Sequence, residues 1–269
     1  MPIITISRGT FSGGRDLAEC LAEKLGFPCL SREVIAEAAE QYGVSQAALG
    51  GALARAPSFR DRVSRDRDKY LAYIRAVLCQ HARSGRLIYH GNAGHHLLAG
   101  IRHVVRVRVI ADIRFRIDAA MRQLNLSSKQ AETHILKVDQ ERRKWTRFLY
   151  GVEWEDASNY DVVLNLEYLG VAGACDLVAR MTELEMFQQT EASQAAMEDL
   201  ALASLATAAL ARDPRTTHGE FRVGAKHGTV TVDGIVRQQE IANAVVEVVS
   251  AVEGVKETTN HVVTAQLLT

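Results

Sequence analysis

The sequence lacks a net charge of either sign. Among its 269 residues Lys and Arg together number 32, and Asp and Glu together also number 32, so the formal net charge is zero. A protein that binds nucleic acid by bulk electrostatic attraction needs an excess of basic residues. The balance therefore gives no support for a nucleic-acid partner, and we predict none.

Cysteine pairs and long apolar runs are also missing. None of the four cysteines forms a C-x-x-C pair, a pattern that favours buried free thiols in a reducing compartment over disulfides or a metal site. No apolar run approaches about 18 residues, so we expect no transmembrane segment. The first residues lack the pattern of a secretory signal, and we expect a cytoplasmic protein. The cysteines are Cys20, Cys29, Cys79 and Cys175.

Patterns typical of strands and of helices alternate along the first two thirds of the chain. The apolar segments Leu87–Tyr89 and Val104–Ile110 are typical of strands buried on both faces, and helical spacing follows several such segments. The alternation predicts an α/β domain in residues 1–185, with a parallel sheet and helices on both faces. Residues 186–199 then read as a helical linker, and residues 200–269 as a small α+β module.

A glycine-rich turn joins the first predicted strand to the first predicted helix. In SRGTFSGGRD, Gly9 and Gly14 hold the spacing of the phosphate-binding loop G-x-x-x-x-G-K-[ST]. Arg15 replaces the lysine but can still bind two phosphate oxygens, and Asp16 can bind Mg²⁺ through water or cap the helix dipole. Such a loop directs backbone N–H groups at phosphate oxygens. The alternative is a turn that binds no ligand.

The wider stretch ITISRGTFSGGRDLAECLAEKLGFPCLSREVI resembles the opening of the cytidylate kinase-like family, which comprises P-loop proteins related to bacterial CMP kinases. Members commonly carry an S-R-x-x-G-S-G-G-R-[ED] loop, so the arginine and the aspartate are features of the family. The resemblance continues through Leu87–Leu98, Val104–Ile117 and Leu126–Leu166, and it covers roughly Ile3 to Met181. It implies a three-layer P-loop fold, ATP and Mg²⁺ as cofactors, and a nucleoside monophosphate or similar small molecule as phosphoryl acceptor.

The resemblance also implies roles for particular residues. The family's lid pattern D-x-x-R falls on Asp139 and Arg142, whereas the alternative for the segment DQERRK is a solvated helix face with i,i+3 and i,i+4 ion pairs. Positive lid groups would stabilise the charge of a transferring phosphoryl group. The implied catalytic residues are Arg15, Arg116, Asp139, Arg142 and Arg143. The implied phosphate-binding residues are Ser7, Arg8, Gly9, Ser12, Gly13, Gly14, Arg15 and Asp16.

The acceptor side departs from the family at two positions. Gly91-Asn92 stands where the family often has Gly-Arg, and Ser31-Arg32-Glu33 stands where it tends to have Asp-Arg-Glu. We take Gly91, Asn92 and Arg32 as candidates for binding the acceptor. Two alternatives to CMP as the acceptor therefore stay open: a different molecule, or loss of the acceptor site while the ATP side survives. Three histidines crowd the Gly91 turn without a nearby carboxylate or cysteine, and we predict no metal site there. They are His90, His95 and His96.

The C-terminal segment from about Leu200 to Thr269 resembles a BON domain. The pattern G-x-V-x-[LV]-x-G-x-V falls on GTVTVDGIV, and the later G-V-x-x-V-x-N is matched at Gly254 and Asn260, with Thr258 in place of valine. BON modules elsewhere are linked with membranes, phospholipid or small ligands. We interpret the module as a sensory element with a protein or ligand partner.

Two functions follow from these patterns. The first is an enzyme that transfers a phosphoryl group from ATP to a nucleoside monophosphate or similar small acceptor. The second is a nucleotide-binding regulator that does no efficient chemistry and signals through the BON-like module. A purely structural pairing of the two modules is the remaining alternative.

Overall fold

The structure, a computed structural model, describes residues 1–31, 33–54, 66–91 and 94–265. These residues form two compact units. The first unit comprises Met1–Glu33, the described part of Gly50–Pro57, and Ser84–Thr190. The second comprises Val34–Leu49, the described part of Ser58–Arg83, and Glu191–Thr269 as far as residue 265. The chain therefore leaves the first unit after its second strand and returns to it before its third.

Strands and helices alternate in the first unit and are mixed in the second. The strands are β1 (Ile3–Arg8), β2 (Cys29–Leu30), β3 (Leu87–Tyr89), β4 (Val104–Ile110), β5 (Val162–Asn165), β6 (Glu220–Lys226), β7 (Thr229–Val236) and β8 (Glu257–Thr264). The α-helices in the described residues are α1 (Gly14–Leu25), α2 (Glu33–Tyr42), α3 (Gln46–Ala54), α4 (Asp66–Ala82), α5 (Gly94–Leu97), α6 (Ile113–Leu124), α7 (Ser128–Tyr150), α8 (Leu166–Met181), α9 (Glu191–Arg212) and α10 (Gln239–Ser250).

The first unit is built on a five-stranded parallel sheet in the order β2-β3-β1-β4-β5. Ile3 to Ser7 of β1 and all three residues of β3 are buried, which requires cover on both faces of the sheet. The predicted α/β fold with a parallel sheet is confirmed. Because β1 lies between β3 and β4, its carboxyl end opens at the point where the strand order reverses, the usual ligand position in such sheets.

Local sequence fixes the helices that carry the site. The Asp112 side chain caps α6 by accepting from the Arg114 N–H. Ser127 and Gln130 form a capping box at the start of α7, and Gly151 ends α7 in a left-handed conformation. These caps set where α6 and α7 begin, and therefore where their arginines and Asp139 point.

The second unit has its own sheet, with β6 antiparallel to β7 and β7 parallel to β8. Its core joins α9, the central strand and α10 through Ala206, Leu210, Val230, Val232, Val245 and Val249. The α9 helix is continuous across residue 200 and packs on α4, so residues 191–199 of the predicted linker contribute to the second unit, while residues 186–190 belong to the first. The division of the chain at residues 185 and 199 stays a prediction.

Replacing Gly254 by Ala tests the backbone of the turn before β8. Gly254 has φ +94°, where an L residue is strained, so Gly254→Ala should lower the free energy of unfolding by about 1 kcal/mol or more. The control is Gly224→Ala in β6, where φ is ordinary and no atom lies within 4 Å of an added Cβ. We expect that variant to be neutral or slightly stabilised in urea denaturation followed by circular dichroism. Equal losses in both variants would contradict the assignment of strain to Gly254.

Candidate functional site

The loop between β1 and α1 is held in shape by its own polar groups. Gly9 N–H donates to the Val109 carbonyl at 3.2 Å, and the Ser12 hydroxyl donates to the Gly9 carbonyl at 2.9 Å. Phe11 and Gly13 have φ of 60° and 83°, so the chain twice adopts the left-handed conformation within three residues. The loop is therefore a defined structure at the carboxyl end of the central strand.

The first turn of α1 presents backbone donors to this loop. Gly13 is the N-cap residue, has no side chain, and supplies no side-chain cap. The N–H groups at Gly14, Arg15 and Asp16 lie in the turn where a helix has no internal acceptors. Together with the positive end of the helix dipole, they form an arrangement that binds anions.

Two glycines let arginine side chains pack directly on the loop. A Cβ on Gly14 would lie 2.6 Å from the Arg8 side chain, and a Cβ on Gly9 would lie 3.3 Å from the central carbon of the Arg116 guanidinium. The glycines predicted to serve phosphate binding thus also bring two positive charges close to the loop backbone.

Asp139 of α7 ties the loop to the arginines. Its carboxylate is buried and accepts from the Thr10 N–H at 3.0 Å and from the Thr10 hydroxyl at 2.7 Å. The same carboxylate forms an ion pair with Arg116 of α6, whose Nε also donates to the Thr10 carbonyl at 2.8 Å. One carboxylate therefore fixes the loop, α6 and α7 with respect to one another.

Arg142 of α7 closes the same cluster from the other side. Its Nη1 donates to the Arg8 carbonyl at 2.9 Å and to the Thr10 hydroxyl at 3.1 Å, and lies 3.8 Å from the Asp139 carboxylate. Burial, followed by the charge of Arg8, lowers the pKa of Arg142 to about 10, with Asp139 acting in the opposite direction. The guanidinium is still charged at neutral pH, in a cluster that is richer in cations than in carboxylates.

A further buried arginine and two aromatic residues line the end of β1. Arg108 of β4 donates to the Trp154 carbonyl at 3.0 Å, and its guanidinium lies 4.4 Å from the centre of the Trp154 ring. The Trp154 indole N–H donates to the Ser7 hydroxyl at 3.0 Å, and the Tyr160 hydroxyl donates to the Trp154 carbonyl at 2.8 Å. This network fixes Ser7 just before the loop.

The sequence analysis missed Thr10, Arg108, Trp154 and Tyr160 as parts of the site. A signal existed only for Arg108, one of the two arginines in the otherwise apolar strand VVRVRVI and the one whose side chain is buried. Trp154 and Tyr160 lie about 150 residues beyond Ser7 in the chain, and no local pattern marks them.

The predicted site residues are only partly brought together. Arg8, Gly9, Arg116, Asp139 and Arg142 form one cluster, with Ser7, Ser12, Gly13 and Gly14 in the loop beside it. Two predicted catalytic arginines have other partners, since Arg15 is exposed and pairs with Glu19 at 2.7 Å, and Arg143 pairs with Glu155 at 3.0 Å. Asp16 is exposed in the first turn of α1.

The acceptor side is described only in part. Arg32 and Asn92 lie outside the described residues, so their predicted roles stay predictions. Gly91 is the second residue after β3 and follows His90. A Cβ added to Gly91 would overlap the Tyr89 hydroxyl. Any residue other than glycine at position 91 would therefore displace Tyr89.

The three histidines near Gly91 are desolvated. Burial lowers the pKa of His95 to about 3 and those of His90 and His96 to about 4, with nearby positive charge as a further cause. The His95 ring packs 4.9 Å from Tyr160, and its Nε2 has no hydrogen-bond partner among the described residues. Across all the residues that the structure describes, no group of three or more His, Cys, Asp or Glu is arranged to hold a metal ion.

The glycine loop at the switch point of a parallel sheet, with arginines gathered on it, is the arrangement of a P-loop protein, and such an arrangement favours phosphate-like anions. Residues 3–168 match the model of the cytidylate kinase-like family. The chain belongs to that family. Residues 198–266 match the BON domain, so the C-terminal module is a BON domain.

The chain is also similar to individual proteins. Over 184 residues the chain is 26% identical to a protein named cytidylate kinase from Ignicoccus hospitalis, a match that covers 67% of this chain and 99% of that protein. An uncharacterized protein of known crystal structure from Eubacterium ventriosum shares the fold, with a TM-score of 0.53 and 19% identity, over 68% of this chain and 99% of that one. A shikimate kinase structure from Bacteroides thetaiotaomicron gives a TM-score of 0.44 at 11% identity, over 68% and 99% of the two chains.

A separate finding concerns membranes. Across the described residues, every helix is too short or too polar to cross a bilayer.

Removing the Asp139 carboxylate should destabilise the first unit. Asp139→Ala leaves Arg116 and Arg142 close together without their anion, and we expect a loss of about 3 kcal/mol in the free energy of unfolding. The control is Glu19→Ala, which breaks the exposed pair with Arg15 and should cost less than about 0.5 kcal/mol. Urea denaturation can be followed by the fluorescence of the two tryptophans, which both lie in the first unit. A loss in Asp139→Ala no larger than in the control would contradict the buried ion pair.

The buried histidines predict a loss of stability in acid. Below about pH 6.5 the unfolded chain protonates His95 while the folded chain does not, so the free energy of unfolding should fall towards about pH 3, by at most about 1.4 kcal/mol per pH unit. The difference in stability between pH 7 and pH 5 should therefore shrink in His95→Phe. It should be unchanged in the control His134→Phe, since His134 is exposed. An unaltered pH dependence in His95→Phe would show that His95 is not neutral at pH 5.

Proposed function

We propose that this protein transfers a phosphoryl group from ATP to a nucleoside monophosphate, CMP or a similar small acceptor. The observation that carries the proposal is the cluster of Arg8, Arg116 and Arg142 around the glycine loop, in which the buried carboxylate of Asp139 pairs with Arg116 and lies beside Arg142. Membership of the cytidylate kinase-like family supports nucleotide-dependent phosphoryl transfer in general. The relative named cytidylate kinase supports a cytidine nucleotide as the acceptor.

The roles of the residues follow from their positions. The backbone N–H groups at the start of α1 would hold the donor phosphates, and Arg8 adds positive charge beside them. Arg116 and Arg142 would stabilise the charge that spreads over the phosphoryl oxygens during transfer. Asp139 acts through these arginines and Thr10, since it fixes all three in place. It is a positioning residue in this proposal.

The chain fits a Mg²⁺ ion that arrives with the nucleotide. Magnesium in such sites is held mainly by substrate phosphates and water, with one or two carboxylates from the protein. The exposed carboxylate of Asp16 lies in the first turn of α1, where the donor phosphates would bind, while the Ser12 hydroxyl is already hydrogen bonded to the Gly9 and Val109 carbonyls. Asp16 would hold the ion directly or through water, and the bound ion would neutralise charge between the phosphates.

The remaining predicted residues complete the proposal. Arg15 would exchange Glu19 for a donor phosphate, and Arg143 would exchange Glu155 for the transferring group. Both present ion pairs are exposed at the surface, where such pairs are weak. Arg32, Gly91 and Asn92 would bind the acceptor at the ends of β2 and β3. The BON domain would serve as a sensory module, and the cytoplasm remains the proposed location.

A second function has a specific observation in its favour. Because Arg15 and Arg143 are paired with glutamates, two of the five proposed catalytic residues lie outside the cluster. A protein that binds the nucleotide in this cluster but transfers no phosphate would act as a regulator, with the BON domain as its output.

Kinase activity can be tested with Mg²⁺, ATP and a panel of CMP, dCMP, UMP, AMP and GMP. We expect transfer to at least one acceptor and a loss of about a hundredfold or more in Arg116→Gln. Arg15→Ala should also lose activity if Arg15 leaves Glu19 for the donor. The matched control is Arg122→Gln, which removes an exposed arginine of the same helix and should retain full activity.

The outcomes separate the two functions. ATP binding measured by calorimetry, without transfer to any acceptor, would contradict the kinase and favour the regulator. Equal activity in Arg116→Gln and Arg122→Gln would show that the arginine cluster does not take part in transfer.

A further inference from the structure

The second unit contains a cavity of about 580 Å³ that is separate from the glycine loop. Cavities of this size accommodate small organic ligands. Its lining comes from α2, α9, the segment that follows α9, and the end of α10 together with the turn after it. The lining residues with aliphatic side chains are Leu205, Ala209, Pro214, Val248, Ala251 and Val252.

An aromatic ring forms part of the same wall. Tyr42 of α2 lines the cavity, and its ring stacks on Tyr73 of α4 with centroids 4.1 Å apart and an interplanar angle of 2°. The Tyr73 side chain is fully buried, so one face of the Tyr42 ring packs against a fixed aromatic ring. The cavity thus has a largely apolar lining that is present before any ligand binds.

The two arginines of the cavity differ in their ion-pair partners. Arg215 is held between two carboxylates, with Asp213 at 2.9 Å and Glu247 at 2.6 Å. Arg212 is exposed, and in the described part of the chain its side chain makes no hydrogen bond or ion pair. Arg212 lines the same cavity as Tyr42, the outer ring of the tyrosine stack.

The charges also restrict the ligand. A single unpaired guanidinium suits one carboxylate, which it can bind through two parallel hydrogen bonds. The carboxylates of Asp213 and Glu247 line the same cavity and would repel a second negative charge on the ligand. A doubly charged phosphate monoester is therefore a poorer fit here than at the glycine loop.

We propose that this cavity binds a small amphipathic carboxylate, with its carboxylate on Arg212 and its apolar body against Leu205, Ala209 and Val248. The ligand would touch α2, α9 and α10 together, so its binding would stabilise the second unit. This inference is independent of phosphoryl transfer, because none of these residues belongs to the loop site.

Octanoate is a suitable probe for the full-length protein in isothermal titration calorimetry. We expect saturable binding of one octanoate per chain, weakened about tenfold or more in Arg212→Gln. The matched control is Arg222→Gln, an exposed arginine of β6 outside the cavity, and it should bind octanoate like the wild type. Ala209→Phe should also weaken binding, because its larger side chain fills the cavity.

Two further ligands test the charge argument. Octanol lacks the carboxylate and octyl phosphate carries more negative charge, so both should bind more weakly than octanoate. Saturating ATP should leave octanoate binding unchanged. The proposal is overturned if wild-type protein shows no saturable binding at millimolar octanoate, if Arg212→Gln binds like the wild type, if octyl phosphate binds more tightly, or if ATP displaces octanoate.

Discussion

The carboxylate of Asp139 is the contact on which the rest of the site depends. It accepts from the backbone and hydroxyl of Thr10 in the loop, pairs with Arg116 of α6, and lies beside Arg142 of its own helix. Without it, the Arg142 hydrogen bonds and the packing of Phe11 would still join the loop to α7, but the partly buried guanidinium groups of Arg116 and Arg142 would repel each other. One buried anion therefore sets both the shape of the loop and the direction of the arginines.

The Asp139 carboxylate does not neutralise all the positive charge of the arginines around it. The pKa of Arg142 is lowered to about 10 by burial and by neighbouring arginines, even though Asp139 is close enough to raise it. Desolvated cations with too few carboxylates around them destabilise the folded protein. An anion that binds among them restores that stability. The site is thus less stable by itself than it would be with a bound phosphate, which is the arrangement expected of a site that must attract a highly charged ligand.

Much of this arrangement could be predicted from local sequence, and the rest could not for physical reasons. The strands Leu87–Tyr89 and Val104–Ile110 have the predicted bounds, since buried parallel strands are short apolar runs. The glycine loop was visible because its backbone geometry demands glycine at fixed spacing. The contacts of Trp154 with Ser7 and Arg108 join residues far apart in the chain, and no periodicity encodes them. Arg15 was expected at the phosphates, but a glutamate one helical turn away is a closer partner.

The order of the chain adds a constraint that neither unit has alone. Helices α2 and α4 lie in sequence between β2 and β3 of the first unit, yet they pack within the second unit, where α4 contacts α9. In sequence, the predicted acceptor residues Arg32 and Gly91 stand near the two ends of this insertion, which starts after Glu33, includes one segment of the first unit from Gly50, and ends at Ser84. Because β2 pairs with β3, the sheet of the first unit closes a chain loop that contains helices of the second unit.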